Sequence, residues 1–169
     1  MQKRHPSLKP LSRDHGVGLL CVQQGHKAVR GSASDRVRLA EQIRSVSQDV
    51  ILSYLEDEQR ILSPVIVDNA LREEFQEHHN KVRRLINELQ QSDPLVDPGL
   101  GLMARVADAL DTYVRWEENF LYPSIEDSLD ENQLMHLNEL TSSLESSRTR
   151  PTQVLHSSVP LTIPSGLAE

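Results

Sequence analysis

Apolar residues recur along this chain at intervals of three and four, the spacing that lines one face of an α-helix. One stripe runs from Leu39 through Ile43, Val46 and Val50 to Tyr54, Glu58 and then Ile61 or Leu62. A second passes Leu71, Phe75, Val82, Leu85 or Ile86, and Leu89, and a third passes Val106, Leu110, Tyr113, Glu117 and Phe120. No segment alternates as a strand would, so the pattern predicts an all-α protein.

Stop and start signals divide the stripes into helices. Residues 1–10 hold two prolines and no period, which predicts an extended lead-in. A first helix starts near Ser12, with Asp14 in its opening turn, and runs to Gly25 or Gly31. The polar turn over 30–35, with a capping residue at its end, opens a second helix that stops at Pro64. Asp68 caps a third. The pair Asp97 and Pro98 opens a fourth, which ends at Pro123. Residues 125–144 predict a shorter fifth helix lying over the end. Four long helices with short connections favour an antiparallel up-down-up-down four-helix bundle over 8–147, followed by a flexible tail over 148–169.

Two residues break the apolar pattern in the same way. The stretch from Tyr54 to Pro64 returns from Tyr113 to Pro123: the tyrosines at 54 and 113, glutamates at 58 and 117, leucines at 62 and 121 and prolines at 64 and 123 each stand 59 apart. Tyr and Glu four apart share a helix face. In both copies the glutamate falls where a core residue belongs, and a buried carboxylate costs several kcal/mol unless it is paired or bound to a metal. Two such glutamates on repeated elements point to a shared ligand. The second stripe passes through His78 and His79, while His15 lies near the start of the first helix, followed by Gly16 and Gly18. Each glycine costs a helix about 1 kcal/mol relative to alanine, which fits a place where another backbone or a small ligand comes close, or a frayed helix start.

Composition narrows the classes. The chain has 169 residues, a net charge of −7 and a sequence pI near 5.5. It is long enough for one domain with a proper core, and its acidity and lack of a dense Lys/Arg cluster argue against a nucleic-acid surface. No apolar run suits a membrane span or a signal peptide, which predicts a cytoplasmic protein. The single cysteine, Cys21, lies among Leu19, Leu20 and Val22 and reads as a buried apolar residue. His5, His26, His136 and His156 fall on tails, turns or the accessory helix, and Trp116 reads as packing.

The run from Leu11 to His15, the His78–His79 pair ahead of Val82, Leu85 and Ile86, and the two elements carrying Glu58 and Glu117 together resemble the bacterial hemerythrin-like, or HHE cation-binding, family over about residues 8–130. The resemblance implies a four-helix bundle with a non-haem di-iron or iron/manganese centre. It implies that Glu58 and Glu117 bridge the metals and that His15 and His79 are terminal ligands, with His78 as the alternative to His79. Where the family has a histidine four residues before each glutamate, this chain has Tyr54 and Tyr113. Tyr54 and Tyr113 therefore join the candidate ligands, or else serve as core aromatics in a metal-free polar network. A set of carboxylates, phenols and imidazoles suits iron or manganese better than zinc or copper(I). The implied roles are handling of dioxygen, peroxide or nitric oxide, or of iron, in stress response. The competing expectation is a metal-free helical bundle acting as a regulatory or interaction module.

Overall fold

The computed structural model describes residues 4–93 and 99–148, with the backbone alone at 99 and 100. All regular elements among them are helical: α1 (Lys9–Arg30), α2 (Ala33–Val46), α3 (Leu52–Leu62), α4 (Asn69–Gln91), α5 (Gly99–Trp116), α6 (Tyr122–Ser128) and α7 (Glu131–Ser147), with a 3-10 turn at Pro6–Leu8. Two π turns, Ser47–Ile51 and Glu117–Leu121, join α2 to α3 and α5 to α6 without breaking the rod. α1 packs against α5 and α2, and α4 packs against α5. Among the described residues no helix is long and apolar enough to cross a membrane.

The termini of these helices follow from their residues. The Ser32 side chain accepts the Asp35 N–H and caps α2, so the cap stands at the start of the polar turn and not at its end. Asp68 caps α4 by accepting the Leu71 N–H. Asp130 and Gln133 form a reciprocal capping box at α7, satisfying two donors that the first turn leaves unpaired. The start expected at Asp97 and Pro98 lies outside the described residues.

Four boundaries differ from the sequence reading. The N-terminal lead-in is helical from Pro6, and Leu8 and Leu11 are fully buried. They are covered because α7 folds back over the 3-10 turn, where the Thr141 hydroxyl donates to the Ser7 carbonyl at 2.8 Å. Pro123 does not end its helix. The preceding π turn closes with the Tyr122 N–H donating to Glu117 O, five residues back, and Pro123 then falls in the first turn of α6, where a missing N–H is tolerated. Phe120, expected inside, is 63% exposed, whereas Leu121 and Tyr122 are buried, since the π turn's extra residue carries the buried face past position 120. Arg148, the first residue of the expected tail, is an anchor: it pairs with Asp14, reaches Asp57 Oδ2 at 2.6 Å and lies over the Tyr54 ring at 4.2 Å. The rest of that tail, 149–169, lies outside the described residues.

The close approach in α1 is also elsewhere than expected. A Cβ on Gly25 would stand 2.8 Å from Ala107 Cβ and 3.1 Å from Met103 O, so this glycine is what lets α1 and α5 touch. A Cβ on Gly16 would meet nothing within 4 Å, and one on Gly18 would meet only Val114 Cγ2, at 3.8 Å.

Candidate metal centre

Four helical rods place polar side chains in the apolar interior. His15 comes from α1, Glu58 from α3, His79 from α4, and Tyr113 and Glu117 from the α5 rod; all five are buried. Glu58 and Glu117, 3% and 0% exposed, face the same hydroxyl: Tyr113 Oη lies 2.6 Å from Glu58 Oε2 and 2.7 Å from Glu117 Oε1. That oxygen is also 2.7 Å from His79 Nε2. On the other side, His15 Nε2 is 2.8 Å from Glu117 Oε2 and 4.0 Å from Glu58 Oε1.

Proton accounting fixes the states of this network. A phenol has one proton to donate and two lone pairs to accept with, yet Tyr113 has three partners. One carboxyl must therefore be protonated and donate to it. Burial and the neighbouring Glu117 charge push Glu58 well above the usual carboxylate range, so Glu58 carries that proton. Tyr113 then donates to Glu117, and its second lone pair accepts from His79 Nε2–H. This tautomer leaves His79 Nδ1 bare, and Nδ1 is indeed a buried atom without a hydrogen-bond partner among the described residues. Burial, Arg83 and His78 pull His79 down to about 3, so its ring is neutral.

His15 is the opposite case. Burial alone would lower it, but hydrogen bonds to Glu117 and Glu118 and the charges around it raise it to about 10, so both ring nitrogens carry protons. Its Nδ1 lies 2.8 Å from Glu118 Oε1. Burial opposes the charge on Glu118, yet bonds from His15 and Arg4 hold that carboxyl down at about 2. The ring of Tyr122 stacks on His15, 5.6 Å between centroids and 11° from parallel.

Tyr54 stands apart from the network. It is buried, but its hydroxyl has no partner among the described residues, and burial with the nearby Asp14 charge pushes the phenol up to about 12. It lines a cavity of about 30 Å³ together with His15, Gly18, Glu58, Tyr113 and Val114. His78 is half-buried and packs on Trp116, 4.8 Å between ring centroids, so His79 and not His78 joins the cluster. His26 is half-buried beside Asp108 and His136 exposed beside Glu139, His5 caps the N-terminal 3-10 turn, and His156 lies outside the described residues.

Sequence reasoning missed Glu118 and Tyr122. Both follow the start of a π turn, and a regular helix extended from Glu117 gives no reason to turn them toward His15. Among the described residues, His15, Glu58 and Glu117 each offer one ligand-type atom within 4.8 Å of the others. Comparison of the chain with protein families, with curated proteins and with solved structures finds no match.

Proposed function

We propose that this chain is an antiparallel four-helix bundle of the hemerythrin-like kind whose interior binds iron or manganese and handles a small oxidant in stress response. The observation that carries this reading is the convergence of His15, Glu58 and Glu117, all buried, with ligand atoms within 4.8 Å of one another. One imidazole and two carboxylates in an apolar interior need their charges paired, by one another or by an ion. The donors fit: one nitrogen and two oxygens, with the Tyr113 oxygen beside them, suit a hard or borderline cation.

The reading is for one ion, where the resemblance implies a pair: the three ligand atoms that converge supply a first coordination set for one ion. Tyr54 stays outside the proposed ligand set. A bound cation needs His15 Nε2 and the Glu58 carboxyl without their protons, so metal and the protonated network compete for the same space and binding releases protons. When bound, the ion supplies a Lewis-acidic, redox-active centre for dioxygen, peroxide or nitric oxide. Leu55, Leu110 and Val114 give the adjoining cavity an apolar lining.

Metal analysis after anaerobic reconstitution tests the reading. The intact protein is expected to hold about one equivalent of iron or manganese; Glu58→Ala and Glu117→Ala should lose it, and His26→Ala and His136→Ala should keep it. Ferric protein in which Tyr113 has become a ligand should show a broad visible band that Tyr113→Phe abolishes and Tyr54→Phe leaves alone. Less than about a tenth of an equivalent would sink the proposal.

One observation favours a second reading. The Tyr113 hydroxyl already lies within 2.7 Å of both glutamates, so the interior is paired without any ion. On that reading the cluster is a metal-free polar network in a regulatory or interaction module. Full stability and no change in melting temperature on adding metal would favour it.

A further inference from the structure

The His15 ring has two nitrogens, and only Nε2 faces the carboxylate cluster. Its Nδ1 bonds Glu118 on the far side, and Glu118 is itself anchored. Arg4 Nη2 donates to Glu118 Oε2 at 2.7 Å and to the Glu118 backbone carbonyl at 2.8 Å. The other Arg4 nitrogen, Nη1, lies 3.4 Å from Glu126 Oε1, which also accepts the His5 N–H at 2.8 Å. The guanidinium sits over the Tyr122 ring, 5.1 Å from its centroid, and Tyr122 stacks on His15. The imidazole is thus gripped at its edge by Glu118 and on its face by Tyr122, and one arginine from the N-terminal segment holds both.

We propose that Glu118, anchored by Arg4, is the positioning residue of the centre: it keeps a proton on His15 Nδ1 and aims Nε2 at Glu58 and Glu117, where the cation would sit. The inference rests on the metal-binding reading. A neutral imidazole can carry its proton on either nitrogen, and a ligand needs Nε2 bare. A carboxylate hydrogen-bonded to Nδ1 removes that ambiguity and fixes the plane of the ring. Glu117 cannot serve both ends, since its oxygens are engaged by Nε2 and by Tyr113. The N-terminal segment, remote in sequence from Glu118, is on this account part of the centre and not an appendage.

Full-length Glu118→Ala, Glu118→Gln and Arg4→Ala test this, with Arg13→Ala as a control, since Arg13 makes an exposed pair with Glu145. Two readouts are compared: ¹⁵N-edited spectra of the His15 ring in metal-free protein, and Mn²⁺ affinity by competition with a chelator. Glu118→Ala should lose the slowly exchanging Nδ1–H signal and weaken Mn²⁺ binding about 10- to 100-fold. Glu118→Gln, which keeps an accepting oxygen, should restore the ring signal and part of the affinity. Arg4→Ala should fall between them, and the control should match the parent. A purely structural role would lower the melting temperature of Glu118→Ala without moving the ring signal. An unchanged Nδ1–H signal in Glu118→Ala, or Mn²⁺ affinity within twofold of the parent, overturns the proposal. If the parent itself binds no Mn²⁺, the metal reading fails, and the ring spectra alone decide whether Glu118 positions His15.

Discussion

Tyr54 and Tyr113 hold the same place in the repeated stretch, four residues before a buried glutamate, yet they meet different surroundings. Tyr113 faces His79 of α4, ring edge to ring face at 5.2 Å, and its oxygen joins three partners. Tyr54 shares its cavity with Gly18 of α1, which offers no side chain, and lies beneath Arg148 with its hydroxyl bonded to nothing among the described residues. A repeat in sequence copies a helix face but not the neighbour opposite it. What makes one tyrosine a hub and leaves the other idle is the residue contributed by the facing helix.

The largest expected difference between the two copies lies in their glutamates. In metal-free protein, Glu117→Ala should cost about 3–5 kcal/mol in urea unfolding, because it leaves the charged His15 buried and short of a counter-ion. Glu58→Ala removes a neutral carboxyl and should cost only about 1–3 kcal/mol. Equal losses would mean that the proton is not on Glu58.

Next come the tyrosines themselves. Tyr113→Phe strips one atom from three partners and should cost about 1–3 kcal/mol, whereas Tyr54→Phe should change stability by less than about 0.5 kcal/mol. A large loss in Tyr54→Phe would show that its hydroxyl has a partner in solution, such as a water in the adjoining cavity.

The pH dependence separates the two histidines in the same way. His15 is raised in the folded protein, to about 10, so its contribution is full below an unfolded value near 6.5 and is lost as pH rises toward 10. His79 is depressed to about 3, so its contribution is present above pH 6.5 and is lost as the pH falls toward 3. Metal-free protein should therefore weaken in both directions; His15→Gln should flatten the alkaline limb and His79→Gln the acid limb. Unfolding midpoints from pH 4 to 10 check this.

The smallest effect probes the space between the copies. Gly18→Ala should stabilise by about 0.5–1 kcal/mol, since its methyl would stand no closer than 3.8 Å to Val114 and a helix gains from alanine. Gly25→Ala should destabilise, because no room exists against Ala107 and Met103. Destabilisation by both would show that the cavity beside Tyr54 is smaller than about 30 Å³ in solution.

Much of this was legible from residue spacing. The stripes gave the helices, Asp68 gave the α4 cap, and the interruption of two stripes by Glu58 and Glu117 located the polar interior. The preference for His79 over His78 came from the family resemblance and not from spacing alone, which left both open. The π turns could not be read, since one extra residue inside a helix leaves no mark in composition, and with them went Phe120, Pro123, Glu118 and Tyr122. The roles of Arg4 and Arg148 were equally hidden, because both act on residues more than ninety positions away.

The π turn at Glu117–Leu121 is slack in the length of the rod. It takes up one extra residue while the helix on either side keeps its phase, so deleting the exposed Phe120 would return a regular helix in which Tyr122 falls four residues after Glu117 and α6 keeps its fit against the core. The same deletion in a regular stretch of α5 would turn every later side chain by about 100°. Length should therefore be freer to change by one residue between Glu117 and Leu121 than in the helices on either side.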